Sequence, residues 1–295
     1  MADGGKPTMA NTLPMSPLRL AASVALTMIA FAANSIFCRM ALKTTAIDAA
    51  SFTTIRLLSG ALVLAIIVRT RRIAGGPRGS WPAAAALFAY AAAFSYAYTR
   101  LPTAVGALIL FGTVQVTMIS IGLKAGERFS APQWVGFLLA LGGLTSLLLP
   151  GLSAPEPMAA GLMLLAGIAW GSYSLLGRKL GNPTAATAGN FILALPFTLV
   201  LSLLTVSAIH LDGRGMAYAM ASGALASGLG YAIWYAVLPA LAATLAATLQ
   251  LSVPVIAAVG GVLFLGEAVT LRLSLCSLAI LGGIGLVIAG RRRKA

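Results

Sequence analysis

The chain has 295 residues, of which 59% are hydrophobic and only 9% are charged, and its formal net charge is +14. This composition, with a mean hydropathy of +0.96, excludes an ordinary soluble domain and indicates a protein of the lipid bilayer. The remaining polar residues form only short connectors, which leaves no room for a separate soluble domain.

Ten apolar runs are long enough to cross about 30 Å of hydrocarbon, a distance that takes roughly 20 residues of helix. In chain order the predicted spans lie near residues 18–39, 49–68, 81–99, 102–123, 131–149, 158–177, 184–206, 215–236, 240–264 and 270–289. We interpret the first run as a retained helix and not as a cleaved signal peptide, because it is long and nine further runs follow it.

The basic residues are distributed unevenly between the two sides of the predicted bundle. With a cytoplasmic N-terminus, fourteen of them fall inside: Lys6, Arg19, Arg69, Arg71, Arg72, Arg78, Lys124, Arg128, Arg178, Lys179, Arg291, Arg292, Arg293 and Lys294. Five fall outside, namely Arg39, Lys43, Arg100, Arg214 and Arg272, and Arg56 lies within a span. This bias predicts that both termini are cytoplasmic. The natural partners of the inside charges are anionic membrane lipids, and no nucleic-acid partner is predicted.

Two stretches of the chain have echoes in its second half. Residues 126–143, which contain Gly126-Glu127 and Gly142-Gly143, resemble residues 266–283, which contain Gly266-Glu267 and Gly282-Gly283. Residues 31–39 similarly resemble residues 170–178. A chain so rich in glycine could repeat one such phrase by chance, but both echoes agree on a shift of five helices.

A shift of five helices predicts two inverted units. Because five is an odd number, the second unit must enter the membrane in the opposite orientation, as in many secondary transporters. We therefore expect a first five-helix repeat over residues 18–150 and a second, inverted repeat over residues 158–290. Plans of this kind place a central site between the halves, near the middle of the membrane.

The phrases Gly-Glu-Arg and Gly-Glu-Ala, each following an apolar helix and preceding a Gly-Gly helix, resemble the drug/metabolite transporter superfamily. Within it the chain resembles the EamA-type branch, and most of all the YddG-like amino-acid exporters. The resemblance implies an all-α integral membrane protein of the bacterial inner membrane. It also implies ten transmembrane helices as two inverted five-helix repeats, in a basket-shaped bundle whose central cavity is lined by helices one, three, four, six, eight and nine.

One feature departs from the pattern of the family. Members often carry Ser-Pro in both the fourth and the ninth helix, whereas this chain has Ser252-Val253-Pro254 in the ninth and Thr113-Val114-Gln115 in the fourth. Proline removes a backbone hydrogen bond of a helix. We therefore expect only the ninth helix to bend.

The sequence offers little for catalysis. Its one histidine, His210, and its six acidic residues all fall outside the predicted spans, and HExxH, GxSxG and P-loop motifs are absent. We predict no enzyme activity, no cofactor and no metal site. Proton-coupled carriers usually relay the proton through an acid or a histidine inside the membrane. Facilitated uniport is therefore expected, although coupling through a rim residue such as Asp48 or Glu267 stays open.

Aromatic and amide side chains within the spans are the candidates for substrate binding. Their polar atoms need partners in a region without bulk water, which favours an inward orientation. The predicted substrate-binding residues are Asn34, Tyr98, Gln115, Trp170, Tyr173, Trp234 and Gln250. Such residues also pack or link helices, and for Asn190 that structural role is favoured. Arg56 could hold a substrate carboxylate, but satisfaction by neighbouring carbonyls and hydroxyls is the favoured interpretation.

These expectations describe an exporter of aromatic or neutral amino acids, or related small metabolites, that works by alternating access. The alternative from another class is a membrane receptor or assembly subunit that binds a ligand or partner without moving it. The inverted repeat favours the carrier, because a static scaffold has no need of two oppositely oriented units.

Overall fold

The computed structural model of the chain describes residues 16–73, 75–124, 126, 128–150, 154–177, 182–241, 246 and 249–292. Within these residues every regular element is a helix. The helices are α1 (Pro17–Thr44), α2 (Ala49–Thr70), α3 (Trp81–Tyr98), α4 (Thr103–Lys124), α5 (Ala131–Leu148), α6 (Pro157–Gly177), α7 (Pro183–Leu204), α8 (Gly213–Ala240), α9 (Ser252–Leu265) and α10 (Leu271–Arg292).

Among the described residues, 8 helices are long and apolar enough to cross a membrane. The other two are α3, whose Tyr, Ser and Pro residues lower its hydropathy, and α9, which has only 14 residues. The predicted all-helical membrane protein is confirmed. The predicted number of ten spans stays a prediction.

Several helices begin at a side chain that caps the first turn. The side-chain oxygens of Asp48, Asn182 and Asp212 accept hydrogen bonds from backbone N–H groups three residues further on, at 2.8, 3.1 and 2.7 Å. Ser130 and Gln133 form a capping box at the start of α5. Caps of this kind satisfy N–H groups that have no partner within the helix, so they fix where each helix starts.

Glycines allow α5 and α10 to pack very closely. A Cβ atom on Gly136 would lie 2.5 Å from the carbonyl oxygen of Gly283, and one on Gly143 would lie 2.8 Å from the Cβ of Ala279. Because higher numbers in α5 face lower numbers in α10, the two helices run antiparallel. Any larger side chain at these glycines would push the helices apart.

The packing of α6 on α4 also depends on small residues. A Cβ on Gly167 would lie 2.6 Å from the Cβ of Thr113, and one on Gly171 would lie 3.1 Å from the Cβ of Thr117. Residue numbers increase in the same direction along both helices at these contacts, so α4 and α6 run parallel. The GxxxG spacing of Gly167 and Gly171 therefore lets α6 approach α4 closely.

Many of the helix contacts follow a two-fold pattern. Exchanging each helix with the one five places away converts the contact of α1 with α9 into that of α6 with α4. The same exchange converts α2 with α8 into α7 with α3, and α3 with α6 into α8 with α1, and all these pairs are in contact. The pairs α2 with α7 and α5 with α10 are converted into themselves.

Among the described residues, α8 and the predicted ninth span depart from regular geometry, and α7 contains Pro196 in its interior. In α8 the stretch Ser222–Leu229 is π-helical, between α-helical pieces at Gly213–Ala221 and Gly230–Val237. In the predicted ninth span, Leu249 and Gln250 are helical, Leu251 forms a turn, and α9 starts at Ser252, two residues before Pro254. A proline in the first turn removes an N–H group that has no helical partner there, so this position tolerates it.

Candidate functional site

A central cavity of about 830 Å³ lies between the helices. Its wall contains residues of α1, α3, α4, α6 and α8, as the resemblance implied, and also of α7 and α10. The predicted ninth helix contributes Ala246 and Gln250, which precede α9. One end of the cavity reaches the surface where α4 ends, since the lining residue Ile121 is 41% exposed. The deep end reaches the buried Asn34 and Tyr90, midway along α1 and α3.

Trp170 of α6 is the centre of an aromatic wall. The centroid of its ring system lies 4.8 Å from that of Tyr90, 5.2 Å from Tyr173 and 5.4 Å from Tyr231. Trp234 continues this wall one turn further along α8. Each close aromatic pair contributes about 0.5–1.5 kcal/mol beyond the burial of its area, so three helices are held in register around the cavity.

Amide and hydroxyl groups interrupt this aromatic wall at a few points. The Nδ2 of Asn34 donates a hydrogen bond to the Oη of Tyr90 at 3.0 Å, and its Oδ1 accepts one from the Oγ of Ser222 at 2.5 Å. Gln115 and Gln250 are half-buried in the wall. Among the described lining residues there is no charged side chain.

The turn between α9 and α10 explains the second Gly-Glu phrase. Gly266 has a φ of 63°, which glycine adopts without strain. Its N–H donates to the carbonyl of Val262 at 3.2 Å, and the N–H of Glu267 donates to that of Gly261 at 3.1 Å. This termination of the helix turns the Glu267 side chain back into the bundle. Gly126 of the first phrase also has a positive φ, of 93°, while Glu127 lies outside the described residues.

Glu267 closes the deep side of the bundle together with Arg39. The Nε of Arg39 lies 3.3 Å from the Oε1 of Glu267, and the two side chains are 10% and 7% exposed. The Nη1 of Arg39 also donates to the carbonyl of Tyr98 at 2.8 Å, and the N–H of Thr103 donates to Oε2 of Glu267 at 2.7 Å. This ion pair therefore joins α1, the connection from α3 to α4, and the turn after α9.

The structure brings most of the predicted substrate-binding residues together. Six of the seven line the one cavity: Asn34, Gln115, Trp170, Tyr173, Trp234 and Gln250. Tyr98 is not in the lining. It is fully buried beyond the deep end, where its Oη donates to the carbonyl of Thr103 at 3.3 Å and its ring packs edge-on against Phe94 at 4.7 Å.

Asn190 and Arg56 were expected to have structural roles. The Oδ1 of Asn190 accepts a hydrogen bond from the N–H of Ser80 at 2.9 Å, which ties α7 to the start of α3, although Asn190 also lines the cavity. Arg56 is 2% exposed and its Nη2 donates to the Oη of Tyr90 at 2.9 Å. Its Nε and Nη1 have no hydrogen-bond partner, so neighbouring groups satisfy only part of the guanidinium.

Sequence reasoning missed two features of the site. The Arg39 and Glu267 pair joins residues that are 228 positions apart, and no local pattern predicts such a pairing. The Gly-Glu phrase was the available signal, because a glycine that ends a helix with a positive φ directs the next side chain back toward that helix. Ser222 was missed because hydroxyls are common within membrane helices.

In the part of the chain that the structure describes, the rim residues Asp48 and His210 belong to no group of three or more side chains that could hold a metal ion. Asp48 caps α2, and its Oδ2 accepts a hydrogen bond from the N–H of His210 at 2.9 Å. The ring of His210 is exposed, and its Nδ1 lies 3.0 Å from the carbonyl of Ala208. Both residues thereby fasten the connection between α7 and α8 to the start of α2.

The sequence of the chain is similar to a family of transporters and to two bacterial proteins. Residues 157–289 match the model of the EamA-like transporter family. An uncharacterized protein of Pseudomonas aeruginosa is 56% identical over 271 residues, which cover 92% of this chain and 94% of that protein. The uncharacterized transporter YwfM of Bacillus subtilis is 28% identical over 257 residues, or 83% of this chain and 86% of that protein.

A solved crystal structure has a similar fold. It superposes with a TM-score of 0.63 at 19% sequence identity, and the match covers 92% of this chain and 99% of that one. At this identity the likeness concerns the fold alone. It extends over the full helical bundle, including the first half of the chain, which the family model does not match.

Proposed function

Because this chain belongs to the EamA-like transporters of the drug/metabolite transporter superfamily, we propose that it exports aromatic or neutral amino acids, or related small metabolites. The export would cross the bacterial inner membrane by alternating access, as facilitated uniport, with both termini in the cytoplasm. Family membership makes the chain a multi-pass membrane transporter of a small molecule. The cargo, the direction and the mechanism are the proposal.

The character of the cavity wall is the observation that carries this proposal. Rings surround the cavity, a few amides interrupt them, and no described lining residue is charged. A small neutral or zwitterionic solute suits such a wall, because ring faces attract an ammonium group without a salt bridge. Each contact of this kind is weak, so low affinity and broad selectivity are expected, which suits export from a concentrated cytoplasm.

Alternating access is supported by the unequal ends of the cavity. One end reaches the surface beside Ile121, while the Arg39 and Glu267 pair and the buried Tyr98 close the bundle beyond the other. The two-fold pattern of helix contacts supports the proposed repeats, residues 18–150 and 158–290. In such an arrangement, rocking one set of helices against the other would open the closed end and close the open one.

Reconstituted protein tests the proposal directly. Liposomes containing the purified chain should take up labelled L-phenylalanine and L-leucine faster than empty liposomes, and an imposed pH gradient should leave the initial rate unchanged. Absence of uptake for every amino acid tried would favour the receptor or assembly subunit instead. A rate that rises with the gradient would contradict uniport while leaving transport itself in place.

A further inference from the structure

Arg56 lies directly behind the deep end of the cavity. Its Cζ atom is 5.1 Å from the ring centroid of Tyr90 and 4.9 Å from that of Phe94. Both rings line the cavity, whereas Arg56 itself, at 2% exposure, does not. The guanidinium is therefore separated from the cavity space by one layer of aromatic rings.

The charge of this guanidinium has no compensating anion nearby. Nε and Nη1 of Arg56 lack hydrogen-bond partners, and none of the described carboxylates lies within ion-pair distance of it. Arginine keeps its charge at any physiological pH. A buried, uncompensated charge is costly, and an ionisable residue within the membrane points by default to a functional site. An anionic group in the cavity would compensate this charge.

Tyr90 accepts two hydrogen bonds through its hydroxyl oxygen. Its Oη accepts one from Nη2 of Arg56 at 2.9 Å and another from Nδ2 of Asn34 at 3.0 Å. Oδ1 of Asn34 is in turn occupied, because it accepts from Ser222. With its oxygen accepting twice, the hydroxyl of Tyr90 keeps one hydrogen to donate. Donation to an anion in the cavity would complete the network and be strengthened by the charge behind it.

We infer that Arg56, acting through Tyr90 and Asn34, makes the deep end of the cavity a subsite for the carboxylate of the transported solute. This inference rests on the proposed function and deepens it by naming the group that the cargo must carry. The ring of Trp170, whose centroid is 4.8 Å from that of Tyr90, would then contact the remainder of the solute. Arg56 is a positioning residue here, because it acts on the solute through Tyr90.

A carboxylate fits this end better than a phosphate ester does. One guanidinium and one free hydroxyl hydrogen match a single negative charge, whereas a phosphate ester carries close to two at neutral pH. The second charge would remain uncompensated in a wall without other cations among the described lining residues. Amines and amides of the same shape would leave Arg56 without its counter-charge, so they should be discriminated against.

The test compares solutes of similar shape that carry or lack the carboxylate. L-Phenylalanine and 3-phenylpropanoate should compete with labelled L-phenylalanine in proteoliposomes, and L-phenylalaninamide should compete at least about tenfold less well, since a hydrogen bond to a charged group contributes about 1.5–3 kcal/mol. Tyr90→Phe and Arg56→Gln should each lower this preference about tenfold, and Arg56→Lys should lower it less. The matched controls are Tyr96→Phe, on the same helix outside the lining, and Arg100→Gln, in the exposed turn after α3.

The preference for the acid over the amide separates the subsite from a merely structural role. A purely structural Arg56 would lower transport of every solute without changing the preference, and this result would overturn the inference. If Arg56→Gln fails to fold, Tyr90→Phe decides, since it removes one oxygen and keeps the ring.

Thermal unfolding in detergent with 3-phenylpropanoate provides a second measurement. Equal transport of the acid and the amide would overturn the subsite and leave the proposed function in place. If no solute is transported, but the acid stabilises the wild type and not the variants, the proposed function is overturned and the subsite remains.

Discussion

Trp170 contacts three rings of the cavity wall, so its replacement should weaken solute binding strongly. Its three ring partners, at centroid distances of 4.8 to 5.4 Å, come from α3, α6 and α8. Loss of one or two aromatic contacts with the solute, at about 0.5–1.5 kcal/mol each, lowers binding about tenfold. We predict that uptake by Trp170→Ala proteoliposomes is about tenfold lower than uptake by the wild type. Uptake by Trp170→Phe proteoliposomes should lie between these two values.

Two further variants show whether this effect belongs to the cavity. Trp134→Ala removes an exposed tryptophan that packs against Phe129 and Phe137, and it should transport as the wild type does. Asn190→Ala should mainly lower the unfolding temperature, because the N–H of Ser80 loses its acceptor. An equal loss of uptake in Trp170→Ala and Trp134→Ala would contradict the aromatic site.

At the residue scale, the sequence could predict which side chains face inward but not what they contact. Trp170 and Gln115 are costly to expose to lipid, so an interior position follows from chemistry alone. Tyr98 satisfies the same criterion and yet lies beyond the cavity, because its oxygen finds a carbonyl in the adjacent turn. The orphaned nitrogens of Arg56 depend on the rings of another helix, which no local pattern specifies.

The Arg39 and Glu267 pair is an interaction between elements, and a double-mutant cycle measures it. Removing one partner leaves the other charge buried, which costs about 3–5 kcal/mol, whereas removing both avoids that penalty. We predict that Arg39→Gln and Glu267→Gln each lower the unfolding free energy strongly, and that the double variant is more stable than the sum of the two losses predicts. Chemical unfolding in detergent measures all three, and additive losses would show that the pair is not coupled.

Asp48 links the start of α2 to the connection between α7 and α8, and this link should depend on pH. Burial acts to raise the pKa of its carboxyl, but hydrogen bonds from Ser51, His210 and Ala50 outweigh it and lower the pKa below its usual value. The stabilisation is thus complete above the unfolded pKa of about 3.9 and is lost as the pH falls through the lower folded pKa. Wild-type protein should lose thermal stability below about pH 4, and Asp48→Asn should lose less.

At neutral pH, Asp48→Asn is compared with Asp48→Ala. Asp48→Ala removes the cap of α2, and it should lower stability by about 0.5–2 kcal/mol at pH 7. Asp48→Asn keeps one oxygen for the N–H of Ser51 but loses the acceptor for the N–H of His210. Its stability at pH 7 should therefore lie between those of the wild type and Asp48→Ala. Identical acid sensitivity in wild type and Asp48→Asn would show that other carboxyls dominate.

At the element scale, hydropathy predicted where helices lie but not how regular they are. The interruption before α9 was foreseeable, because Pro254 cannot donate to the preceding turn. The π-helical stretch Ser222–Leu229 was not, since its small residues also suit a regular helix. Tertiary contacts explain it better. A Cβ on Gly223 would lie 2.0 Å from the carbonyl oxygen of Arg56, so this stretch follows the surface of α2.

The whole molecule combines a closed end, an open end and helix contacts with a two-fold pattern. The antiparallel packing of α5 on α10 places Gly136 against Gly283, and several further contacts, such as those of α1 with α9 and of α6 with α4, obey the exchange of helices five places apart. A carrier needs two conformations of similar stability. The two proposed units would provide this, because an exchange of their conformations would open the opposite end of the same cavity.

The opposite orientation of the two proposed units leads to a topological prediction. Ala131, at the start of α5, and Ala268, before α10, are exposed and follow the two Gly-Glu phrases. In a Cys38→Ala/Cys276→Ser background, a membrane-impermeant maleimide should label Ala268→Cys and the reference Arg100→Cys in intact cells. It should label Ala131→Cys only in inverted vesicles, because five intervening spans reverse the side of the membrane. Labelling of Ala131→Cys and Ala268→Cys from the same side would rule out inverted units and the alternating access built on them.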